Sequence, residues 1–142
     1  MKGILRGLTE TEVATDPGAT DRRLKGRTYA IPFDDVWSAA TRLARGELRG
    51  WTLSTADDQE GVITGSAKPL LFGGPCEVRV EIGLDENAQT RVDAWSSSGG
   101  KRGDLGRNRR TLGRFFRALD RALAVRPGQI LDPTRVPTWL DR

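Results

Sequence analysis

The chain has 142 residues, 37% hydrophobic and 30% charged, which fits one domain able to bury its own core. It contains no histidine and a single cysteine, Cys76, which excludes a Ser-His-Asp triad, imidazole acid–base chemistry, a histidine or thiolate metal cluster and an internal disulfide. The formal net charge is +4, and no apolar run approaches the ~20 residues of a membrane span.

Residues 1–26 read as a polar, mobile lead-in, with Thr9-Glu10-Thr11-Glu12 as a capping box for a short helical turn. The first residues lack the apolar h-region of a signal peptide, and Lys2 stands where a myristoylated glycine would be needed, so the expected compartment is the cytoplasm. The domain proper is expected over 27–126, opening with a short strand from Arg27 to Ile31.

Pro32 suits a first helical position, and Asp34 and Asp35 favour the positive end of a helix dipole. Phe33, Val36, Trp37, Ala40, Leu43 and Ala44 recur at helical spacing, predicting a first helix from Pro32 to Arg45. Four strands are expected next. They lie around Trp51, Leu53 and Thr55, over Val62 to Ala67, over Cys76 to Leu84, and over Thr90 to Ala94, with turns at Asp57–Gly61 and Asp85–Asn87. In the third of them Cys76, Val78, Val80, Ile82 and Leu84 alternate with Glu77, Arg79, Glu81 and Gly83, the pattern of one wet face. The last two strands predict a hairpin whose Glu77, Arg79 and Glu81 meet Arg91 and Asp93 as exposed cross-strand pairs.

Asp104 is the expected N-cap of a second helix, with Leu105, Leu112, Phe116, Leu119 and Leu123 as its core stripe and Pro127-Gly128 as its stop. Residues 127–142 are expected to pack on the domain as an extended tail. The predicted fold class is α+β: a single antiparallel sheet of about five strands with two helices on one face, in the order β-α-β-β-β-β-α.

Charge is unevenly spread. From Lys101 to Arg126 there are nine basic residues and two acids, whereas the remainder carries fourteen basic and seventeen acidic residues. Arg107, Arg110, Arg114, Arg117 and Arg121 follow at spacings of three and four, which places them within roughly an 80° arc opposite the apolar stripe. The bland reading is a solvated helix face. The functional reading is contact with an acidic partner (protein, anionic lipid or nucleic acid), since exposed helices ordinarily interleave acids with such bases. No nucleic-acid motif or interleaved aromatic accompanies the row.

Ser96 to Asp104 is a glycine- and serine-rich, basic connection whose backbone amides would suit phosphate at a helix N-terminus. It lacks the spacing of a P-loop, and Asp104 would compete for the same amides; a structural connection is the competing reading. Cys76 reads as a small buried residue without an activating base. A second function class is a small-ligand-binding or enzymatic domain, with Trp37, Trp51, Phe72 and Phe116 lining an apolar cavity between helices and sheet. No cofactor is implied.

The pattern Asp93-x-x-Ser96-x-Ser98, then Asp104-Leu105-Gly106-x-Asn108-x-Arg110 before an amphipathic helix, resembles the bacterial domain-of-unknown-function 1499 family. Tyr29-Ala30-Ile31-Pro32-Phe33, Val36-Trp37, Gly50-Trp51 and Gly61-Val62-Ile63 fit the same order, so the resemblance covers about Arg27 to Ala124. Family members commonly carry arginine where this chain has Trp95 and Gly99. The resemblance implies an α+β fold and marks Asp93, Ser96, Ser98, Asp104, Gly106, Asn108 and Arg110 as the positions to follow. It implies no reaction, since the family has no established activity. The sequence therefore favours a non-enzymatic binding module.

Overall fold

A computed structural model describes residues 12–19, 21, 24–69, 73–98 and 105–131. In chain order it contains β1 (Glu12–Ala14), β2 (Arg27–Tyr29), α1 (Phe33–Arg42), β3 (Trp51–Asp57), β4 (Val62–Ala67), β5 (Cys76–Leu84), β6 (Thr90–Ser97), α2 (Leu105–Ala122) and β7 (Ile130–Leu131). The fold is α+β, with one antiparallel sheet of seven strands and two helices among the described residues.

The strands run in the order β3-β4-β5-β6-β2-β7, and β1 also pairs with β6, end to end with β2 along the same edge. Two of these strands correct the predicted count. β1 lies where a mobile lead-in was expected, and Glu12 is extended rather than helical; β7 opens the predicted tail. They are three and two residues long, too short for an apolar alternation to be read. The rest of the tail lies outside the described residues.

The helices cover one face of the sheet. Val78, Val80 and Ile82 of β5 lie opposite Ser96, Ala94 and Val92 of β6, and these inward residues share a core with Val36, Ala40, Leu43, Leu112, Phe115, Phe116 and Leu119 of the helical layer. Each large apolar side chain buried there contributes about 1.5–3 kcal/mol. α1 stops short of the predicted Arg45: after Arg42 the backbone widens into a π turn over Leu43–Glu47, closed by the Leu48 N–H on the Leu43 carbonyl at 3.2 Å, and Gly46 breaks it at φ 125°. α2 ends at Ala122 rather than at Pro127-Gly128. The Val125 N–H bonds the Asp120 carbonyl at 3.2 Å and the Ala124 N–H the Arg121 carbonyl at 3.0 Å, a Schellman closure with Ala124 left-handed at φ 47°.

The expected exposed hairpin is corrected as well. Register sets Glu81 opposite Asp93 and Arg79 opposite Trp95, so like charges face each other across the strands. Each carboxylate instead pairs with the arginine two residues before it on its own strand, Arg79–Glu81 at 3.1 Å and Arg91–Asp93 at 2.7 Å. Arg91 and Asp93 are also buried, 8% and 7% exposed. The segment linking β1 to β2 crosses over them, contributing Thr15, the Lys25 carbonyl and Gly26. A Cβ on Gly26 would stand 2.6 Å from the Val92 carbonyl oxygen, which is why only glycine fits there, at φ 69°. β6 is thereby covered on both faces.

Candidate functional site

α2 is held by its apolar side: Leu112, Phe115, Phe116 and Leu119 are each 0% exposed. That rotation turns Arg110, Arg117 and Arg121 to water. The other two members of the predicted row are half-buried. Arg114 donates from Nη1 to the Arg49 carbonyl at 2.7 Å, and Arg107 packs over Gly73, where a Cβ would collide with its guanidinium. Burial, and after it the charges of Arg49 and Arg117, lower the pKa of Arg114.

The ion pairs among the described residues include Arg27–Asp120, Arg42–Glu47, Arg79–Glu81 and Arg91–Asp93, and none of these takes Arg110, Arg114, Arg117 or Arg121. Asp120, the one acid of the basic stretch among the described residues, is already engaged. Both its oxygens accept from Arg27 Nε at 3.2 Å, and Oδ1 also accepts from the Tyr29 hydroxyl at 2.5 Å. Arg27 itself lies over the Phe116 ring, 5.2 Å from its centroid.

At the C-terminal end of this face an open groove of about 570 Å³ runs between the last turns of α2 and the loop leading to β7. Arg117, Arg121 and Arg126 line it together with Val125, Pro127 and Ile130. Helical spacing marked the first two arginines; Arg126, Val125 and Ile130 lie beyond the helix, where no periodicity links them to it.

The positions carried by the family resemblance fall into two sites, not one. Asp93 faces the outer side of the sheet, where it accepts from Arg91 and from the Thr15 hydroxyl at 2.7 Å. Ser96 and Asn108 lie on the helix side, both 0% exposed. The Ser96 hydroxyl donates to Asn108 Oδ1 at 2.7 Å, and Asn108 Nδ2 donates to Ser98 Oγ at 3.3 Å. Asn108 thus ties the first turns of α2 to the end of β6. Gly106 and Arg110 are exposed on the helix, whereas Asp104 and most of the Ser96–Asp104 connection lie outside the described residues.

Of the aromatic residues considered for a cavity, Trp51 stacks on Phe115 with centroids 5.1 Å apart, and Phe116 meets the same ring edge-on at 5.3 Å. Trp37 stacks instead on Phe33 at 5.9 Å, and Phe72 lies outside the described residues. Cys76 is fully buried. Among the described residues no three acidic or cysteine side chains gather into a metal-binding group, and no helix is long and apolar enough to cross a membrane. Comparison with family models, curated proteins and solved structures finds no match to this chain.

Proposed function

We propose that the chain is a non-enzymatic binding module that meets an acidic partner through the outer face of α2. The observation that carries this reading is the row Arg110, Arg117 and Arg121, exposed and without an ion pair among the described residues, on a helix whose opposite side is fixed in the core. Like charges one turn apart repel by a few tenths of a kcal/mol per pair, a cost that an acidic partner removes. Arginine forks suit the planar oxygens of carboxylate and phosphate. The single, buried Cys76 fits a cytoplasmic setting. We also read the chain as a relative of the domain-of-unknown-function 1499 family, on the pattern from Asp93 to Arg110; this adds no reaction.

Heparin retention tests the proposal. The native protein is expected to bind at low salt and elute as ionic strength rises. The triple variant Arg110→Glu, Arg117→Glu, Arg121→Glu is expected to elute far earlier, while Arg42→Glu with Arg45→Glu, on exposed positions of α1 and the π turn after it, changes little. No retention of the native protein, or equal loss from both sets of substitutions, refutes the assignment to α2.

A further inference from the structure

We propose that the groove at the C-terminal end of α2 docks an extended acidic segment of a partner protein, with two carboxylates held by Arg117 and Arg121 and a following apolar side chain seated on Val125 and Ile130. The inference rests on the reading of α2 as an anion-contacting face and narrows its partner to a peptide.

Charge sets the first requirement. Among the described residues three guanidiniums, those of Arg117, Arg121 and Arg126, line the groove, and the one carboxylate among them, Asp120, is occupied by Arg27 and Tyr29. The occupant is therefore anionic. Shape sets the second. A volume of about 570 Å³ falls in the range of ligand pockets, but this groove is open to water and cannot enclose a small molecule, so it suits a stretch of a longer chain.

Spacing sets the third. Arg117 and Arg121 are four residues apart on α2, about 6 Å along the axis. Alternate residues of an extended peptide point to the same side about 6.6 Å apart. A Glu-x-Glu segment thus presents one carboxylate to each guanidinium, in the bidentate geometry arginine favours.

Apolar lining decides between partner classes. Ile130 is 42% exposed and stands beside the arginines with half-buried Val125 and with Pro127. Such residues contribute nothing to a phosphate backbone, and among the described residues the groove has no aromatic ring on which a base could stack. Bilayer insertion is closed to α2 because its apolar side is already the protein core. The groove wall is also preformed: the Arg126 N–H bonds Gln129 Oε1 at 2.7 Å, the Gln129 N–H returns to the Arg126 carbonyl at 3.1 Å, and the Gln129 carbonyl accepts from Ala30 at 2.8 Å. Little ordering cost remains for binding.

The test is fluorescence anisotropy on the full chain at low salt, with a labelled peptide containing Glu-Ser-Glu-Ser-Leu, the same peptide with Ser for Leu, a labelled oligothymidylate and phosphatidylserine vesicles. The Leu peptide is expected to bind, and Arg117→Glu or Arg121→Glu to weaken it about ten-fold. Ile130→Ser is expected to weaken the Leu peptide about five-fold while leaving the Ser peptide and heparin retention unchanged. The Leu-to-Ser change in the peptide gives the same comparison with the protein untouched. Absence of peptide binding, equal affinity for the two peptides, or tighter binding of the oligonucleotide or vesicles overturns the proposal. If arginine-dependent heparin retention survives that result, only the peptide assignment fails; if retention is lost too, the reading of the α2 face fails with it.

Discussion

The guanidinium of Arg91 lies alongside the carboxylate of Asp93, Nη2 to Oδ1 at 2.7 Å and Nε to Oδ2 at 3.1 Å, with both side chains about nine-tenths buried. Arg91 also donates to Thr28 Oγ1 at 3.2 Å and to the Lys25 carbonyl at 2.5 Å, and the Thr15 hydroxyl donates to Asp93. The pair therefore closes the neck of the segment between β1 and β2. Asp93→Ala strands a buried cation and is expected to cost about 3–5 kcal/mol in urea unfolding. Replacing both residues together with apolar ones is expected to cost less than either single change. A double variant as unstable as the two singles summed would show that the pair acts independently of its shared burial.

Asn108 provides the corresponding link on the other side of β6. With 0% exposure, it accepts from Ser96 and donates to Ser98. Asn108→Ala removes the acceptor of a buried hydroxyl and is expected to destabilise by about 1–3 kcal/mol. Asn108→Asp places a charge in the same site and is expected to cost more at neutral pH. Thermal unfolding of the two variants side by side checks the order.

The parts of this fold that were legible in the sequence are those with a local period. β5 alternates over nine residues, and α2 carries an apolar stripe across eighteen. What escaped depends on contacts remote in the chain. Nothing in the alternation of β6 shows that Thr15, 78 residues earlier, covers Asp93, so a pair read as surface charge is in fact enclosed. Phe115 sits at the edge of the helical stripe and becomes core because Trp51 stacks on it from β3. The arginine row was legible as a face. Its division into exposed and half-buried members was not, because Arg114 turns toward the carbonyl of Arg49.

Two alanines occupy left-handed backbone usually given to glycine. Ala88, at φ 59°, follows the turn at Asp85 in the β5–β6 hairpin, and Ala124, at φ 47°, closes α2. Both are exposed, so no packing is lost by removing the methyl group. Ala124→Gly and Ala88→Gly are each expected to stabilise by about 0.5–1 kcal/mol. A fall in melting temperature for either variant would contradict the assigned backbone geometry.

The chain has one tyrosine, which makes its ionisation separately observable. Tyr29 is 0% exposed, and its hydroxyl donates to Asp120. Burial, then the Asp120 charge and hydrogen bond, push its pKa far above the usual phenol value, against a smaller opposing effect of Arg27. In the unfolded chain it titrates near 10. The raised folded value means that this group's contribution to stability is complete below about pH 10 and is lost as pH rises above it, at about 1.4 kcal/mol per pH unit. Absorbance at the tyrosinate band is expected to stay flat past pH 10 and then rise together with loss of the far-ultraviolet circular dichroism signal. In Tyr29→Phe the alkaline dependence is expected to flatten, at a cost near 1 kcal/mol at neutral pH for the lost hydrogen bond. A tyrosinate signal that develops near pH 10 with secondary structure intact would place the hydroxyl in water and remove the Tyr29–Asp120 contact from the account of how β2 holds α2.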